Sequence, residues 1–262
     1  MNTESTPQTQ TTKKHARLAF FWTVLGVLST LAVFPYLLAI TPALVTQIPV
    51  PLPVLVLAQL AQTSVLLLLL SWIGLRLGQS VGLDSPFARA FVYGRQPPAI
   101  SRRAIIFALS TGIVGGLIIL VLDRLFQPFM PATTQPIDIN PELWKRLLAA
   151  FYGGITEELL LRLFLMTLIV WIIWKIVLRG HRPPTALIFW IAIVVAAILF
   201  GAGHLPAAAG IWPLTLVVIS RIILLNALLG IAFGYIYWQW GLEYAMLAHF
   251  SADIVIQLLS GI

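Results

Sequence analysis

Seven apolar runs divide this chain, at Leu18–Ile40, Val54–Leu75, Ala104–Leu122, Leu143–Val177, Thr185–Gly203, Trp212–Trp238 and Leu242–Leu259. A helix of about 20 apolar residues bridges the hydrocarbon core of a bilayer. The runs therefore predict an all-α fold, a polytopic helical bundle with about seven transmembrane helices. Composition agrees, with 60% hydrophobic and only 10% charged residues in 262. That balance excludes an ordinary soluble domain.

The residues between the runs set an expected orientation. Arg76, Arg89, Arg95, Arg102 and Arg103 cluster around the second connection, and Lys175, Arg179, His181 and Arg182 around the fourth. Basic excess marks cytoplasmic loops, which places the N-terminus inside and the C-terminus outside a cell membrane of bacterial cytoplasmic type. The +7 net charge then belongs to loop bias; the basic residues form no continuous stripe, so nucleic acid is not an expected partner. The lipid bilayer is. With no cysteine, the chain has no disulfide, thiolate metal site or thiol nucleophile.

Residues 1–17 are polar and rich in Thr, Gln and Pro, which predicts a disordered tail before a single transmembrane domain, 18–262. The run after the tail is too long for a signal-peptide core and lacks a small-residue cleavage site. It reads as a retained first span. Leu143–Val177 exceeds one span, so a tilted or broken helix is expected, with Gly153 and Gly154 as the break.

One run carries an anomaly: Glu157, Glu158 and Arg162 lie together in FYGGITEELLLRLFLM. Each charge at the centre of a membrane helix costs about 2.5–3.5 kcal/mol, so the three require partners, water or a reaction centre. Four-residue spacing lets Glu158 pair with Arg162, leaving Glu157 facing elsewhere as a candidate acid or base. Two later spans carry further polar groups at the same spacing, Phe200 with His204 and His249 with Asp253. Asp253 is placed to hold one nitrogen of His249 and leave the other for a substrate or metal. For Arg221 and Asn226 on the sixth span two roles stay open, lining the same cavity or packing against Glu158 or a backbone carbonyl. The gathering of His with Glu and Asp suits activation of water. Three other readings stay open: an interhelical ion lock in a non-catalytic scaffold or immunity protein, a proton or ion pathway, and bis-histidine haem ligation. The adjacent carboxylates suit water chemistry better than haem, and without a Walker-type loop neither haem nor nucleotide is expected. HExxH and GxSxG are also absent.

Glu157-Glu158-x-x-x-Arg162, Phe200-x-x-x-His204 and His249-x-x-x-Asp253 resemble, in order, the three motifs of the CPBP family of CAAX proteases and bacteriocin-processing enzymes, which includes the Rce-type prenyl proteases. The resemblance covers about residues 145–258. It implies an intramembrane endopeptidase acting on a membrane-associated protein or peptide, lipidated in some relatives. In that reading Glu157 and His204 activate water while His249 and residue 253 steady the tetrahedral intermediate or a metal. Glu158, Arg162, Phe200 and Asn226 support them. Family members are described both as metalloproteases and as metal-free glutamate-dependent enzymes, so a divalent metal such as zinc on Glu157, His204, His249 and Asp253 stays an open expectation. Many relatives carry Asn where this chain has Asp253. An ionised Asp cannot donate to an oxyanion, so Asp253 would be protonated, orient His249 or bind a cation.

Overall fold

The structure, a computed structural model, describes residues 7–40, 50–134 and 141–260, with side chains from His15 onward. The first six tail residues, positions 41–49 and 135–140 of the two Pro-rich connections, and 261–262 lie outside the described residues. Every regular element among those described is helical. In chain order they are α1 (Pro7–Ile40), α2 (Leu52–Val81), a short α3 (Pro86–Val92), α4 (Arg102–Phe126) with a 3-10 turn after it (Gln127–Phe129), α5 (Leu143–Val177), α6 (Ala186–Gly203), a short α7 (Leu205–Ala209), α8 (Leu216–Trp240) and α9 (Leu242–Leu259). Seven of the α-helices, all but α3 and α7, are long and apolar enough to cross a bilayer. This is a multi-pass membrane protein.

Helix ends follow local chemistry. α2 runs past its apolar stretch to Val81 and stops at Gly82, whose φ of 80° is a left-handed conformation open to glycine. α4 begins at Ser101, whose hydroxyl accepts from the Ala104 N–H, and Thr215 serves α8 in the same way through Val218. α1 starts ahead of the apolar run, its helical backbone extending from Pro7. Proline suits a first helical turn, and the helix is tied down where His15 Nε2 meets Gln79 Oε1 at 3.0 Å and Leu18 is fully buried.

α5 departs most from expectation. Gly153 and Gly154 do not break it; the helix continues but widens into π-type turns over Tyr152–Glu157 and Leu159–Met166. Such wide turns are uncommon and concentrate at functional sites. The glycines serve close approach instead. A Cβ on Gly153 would overlap the Asp253 carboxylate, and one on Gly154 would stand 2.9 Å from Phe250 Cβ, so both admit α9 against α5.

The same device brings α4 to α9, where a Cβ on Gly112 would overlap the Ala248 carbonyl. The N-terminal half of α5 packs on α1 and α9, and its C-terminal half on α2 and α6. Leu159, Leu163, Met166, Ile193, Phe233 and Leu242 are among the fully buried side chains at the centre. Many leucines and isoleucines outside it are exposed, as expected of a surface solvated by lipid tails.

Candidate active site

α5 presents three consecutive side chains to three neighbours. Thr156 faces α1, Glu157 faces α6 and α9, and Glu158 turns to α9 and to Arg162 of its own helix. Glu158 is fully buried. Its Oε2 lies 3.4 Å from Arg162 Nε, an ion pair rather than a hydrogen bond, since that oxygen has no hydrogen-bond donor among the described residues. Its Oε1 is 2.8 Å from His249 Nδ1. The pairing expected from helical spacing is present, and Glu158 has a second partner that spacing did not indicate.

Arg162 is enclosed on its other sides. One guanidinium nitrogen donates to the Gly230 carbonyl at 3.2 Å, and its Cζ lies 5.4 Å from the Phe200 ring centre and 5.6 Å from that of Phe233. Cations over aromatic faces are attracted by the ring quadrupole. Phe233 also stacks on the imidazole of His249, with centroids 4.6 Å apart and planes 25° from parallel. The imidazole is thus fixed edge-on by Glu158 and face-on by Phe233.

Tautomers follow from these contacts. A carboxylate paired with arginine accepts, so His249 Nδ1 donates to Glu158 and leaves Nε2 as the reactive nitrogen. On α6, His204 Nδ1 lies 2.9 Å from the Phe200 carbonyl, which can only accept, so Nε2 is again the nitrogen turned inward. Both face Glu157: His204 Nε2 is 3.5 Å from Oε1, and His249 Nε2 is 3.7 Å from Oε2. Asp253 Oδ2 is 3.7 Å from the same His249 nitrogen. The orienting role that spacing gave to Asp253 therefore belongs to Glu158 on another helix.

Glu157, Asp253, His204 and His249 converge, with His204 the most exposed at 34% of its side chain and His249 the least at 5%. Four acceptors facing one another at distances beyond a direct hydrogen bond are satisfied by a group that brings protons, and water is the simplest. Nitrogen and oxygen donors of this kind are also accepted by zinc. Among the described residues, however, no three or more such side chains have an arrangement able to hold a metal ion.

Asn226 and Arg221 stand apart from this cluster. The Asn226 amide donates to the Ile222 carbonyl of its own helix at 2.8 Å, and Arg221 bonds Asp123 on α4 at 2.6 Å while lying over the Trp212 ring. Sequence reasoning missed Phe233 and Thr156. A phenylalanine in an apolar span carries no signal of its own. The threonine did carry one, because a hydroxyl within a membrane helix often seeks a partner across the bundle.

Residues 139–255 match the family model described as Rce1-like, type II CAAX prenyl endopeptidase Rce1-like, a range that contains all four converging side chains. No curated protein and no solved structure matches the chain.

Proposed function

We propose, from the match of residues 139–255 to the Rce1-like type II CAAX prenyl endopeptidase family model, that this protein is an intramembrane endopeptidase that hydrolyses a peptide bond of a membrane-associated, lipidated substrate with water activated by Glu157. The observation that carries this reading is the placement of one carboxylate, Glu157, between two imidazoles whose inward nitrogens both face it.

In the proposed step, Glu157 and His204 draw a proton from water as its oxygen attacks the scissile carbonyl carbon. The tetrahedral intermediate collapses with cleavage of the C–N bond, and the proton held by Glu157 passes to the departing amine. His249, held in one orientation by Glu158 and Phe233, stands beside the intermediate. Asp253 contributes a hydrogen bond there only as the neutral acid. Burial of the Arg162–Glu158 pair beneath them holds the assembly rigid, and little reorganisation is then needed as charge develops.

The orientation proposed for the chain has its N-terminus in the cytoplasm of a bacterial-type cell. Its support is the gathering of Arg76, Arg89, Arg95, Arg102, Arg103, Lys175, Arg179 and Arg182 at one end of the bundle. His204 follows the opposite end of α6. The site then lies in the half of the membrane away from the basic rim.

Purified protein in detergent, mixed with a farnesylated peptide bearing a free C-terminus, tests the reading. Cleavage by the wild type and a loss of about 10²–10⁴-fold in Glu157→Gln and His204→Ala, with both variants folded, is the expected result. Cleavage by Glu157→Gln at the wild-type rate would falsify it. Elemental analysis and a chelator arm on the same samples separate a metal-dependent protease from a metal-independent one.

A further inference from the structure

The wide turn that carries Glu157 is anchored from outside the family-matched segment. Thr156, immediately before it, is 2% exposed, and its hydroxyl lies 3.0 Å from the Gly26 carbonyl and 2.6 Å from Ser29 Oγ, both on α1. Ser29 and Thr30 also bond the Gly26 carbonyl, at 2.9 and 2.8 Å. Several hydroxyls in these helices bond back within their own helix, as Thr23 does to Ala19 and Ser64 to Leu60. Thr156 reaches across to α1, as Thr167 reaches across to the Tyr237 hydroxyl on α8 at 3.0 Å. Gly26 lets α2 and α5 close on α1 around this contact: a Cβ there would overlap Leu67 of α2 and stand 3.3 Å from Leu159 of α5.

Successive residues in a helix point about 100° apart, somewhat less in a wide π turn, so the direction of Thr156 sets that of Glu157. A π turn closes wider i→i−5 bonds in place of the i→i−4 ladder. The hydroxyl contact adds a constraint on its direction from a neighbouring helix.

We propose that Thr156 and Ser29 form a positioning clamp for Glu157, through which α1 sets the angle at which the carboxylate enters the site. This deepens the protease reading and rests on it. Neither residue touches substrate; both act through Glu157.

Thr156→Val keeps the shape and removes the hydroxyl, Thr156→Ser keeps the hydroxyl, and Ser29→Ala removes its partner. With the farnesylated peptide, Thr156→Val is expected to lower kcat about 10- to 100-fold at unchanged KM, the scale of a misplaced catalytic group. Thr156→Ser is expected to restore most of it, and adding Ser29→Ala to Thr156→Val to cost nothing more. A drop in melting temperature with kcat per folded molecule unchanged would show a purely structural contact and overturn the clamp. The chain has no cysteine, which allows a readout independent of activity. In a Glu157→Cys/His204→Cys protein, the rate of disulfide cross-linking should fall several-fold when Thr156→Val is added, and an unchanged rate overturns the proposal. If the wild type cleaves nothing, the protease reading falls and the cross-link alone decides the clamp.

Discussion

Glu158 Oε1 and His249 Nδ1 meet at 2.8 Å although 91 positions separate them in the chain. The same carboxylate faces Arg162 through its other oxygen, so one buried acid joins a fixed cation to an imidazole of the site. Removing one member of a buried pair leaves the other charge uncompensated.

Arg162→Ala is accordingly expected to destabilise the folded protein by about 3–5 kcal/mol, and the double variant Glu158→Gln/Arg162→Met to recover a large part of that loss. Denaturant-induced unfolding in mixed micelles measures both. A single variant as stable as the wild type would mean that the pair is solvated in the membrane.

Gly153→Ala is expected to abolish most activity, because the added methyl overlaps Asp253 and stands 3.1 Å from His249 Nε2. Gly203→Ala is its control. A Cβ at Gly203 meets nothing within 4 Å, so helix stability should be unchanged or gain about 0.4–1 kcal/mol. Equal effects of the two substitutions on cleavage would show that the α5–α9 approach does not govern the site.

Phe233→Leu removes the ring under His249 while keeping an apolar side chain. The lost stack is worth about 0.5–1.5 kcal/mol, so a fall in kcat of about tenfold with little change in KM is expected. Steady-state kinetics on the farnesylated peptide checks this. A rise in KM alone would assign Phe233 to substrate binding.

Asp253→Asn replaces an acceptor with a side chain that can also donate to a developing oxyanion. Cleavage is expected to be retained or increased, whereas Asp253→Leu should lower it by about 10²-fold, the scale seen when an oxyanion donor is lost. Loss of activity in Asp253→Asn would indicate that the negative charge is required, as it would be for a bound cation.

Hydropathy made the seven spans legible, and the excess of charge in Leu143–Val177 pointed to the helix that carries the site. Side chains four apart on one helix were also legible, as with Glu158 and Arg162. What escaped were relations between helices. Asp253 shares a helix with His249 and was the nearer candidate to hold it, but Glu158 does so from α5, and a pattern along one chain segment cannot rank such a competitor. Gly153 and Gly154 read as a break because glycine weakens an isolated helix; the docked α9 gives their missing side chains a packing purpose instead. Of the two roles open to Asn226 the sequence could not choose; its amide is satisfied at a backbone carbonyl one turn back, at Ile222.

The Glu158–Arg162 contact also bears on how the protein is made. Because both partners lie on α5, that helix brings its own counter-ion into lipid, and Glu158 need not wait for a cation from a later segment. Glu157 has no such partner on α5. Its imidazoles arrive with His204 and His249, so during synthesis the nascent α5 carries one unshielded acid until α6 and then α9 have left the ribosome.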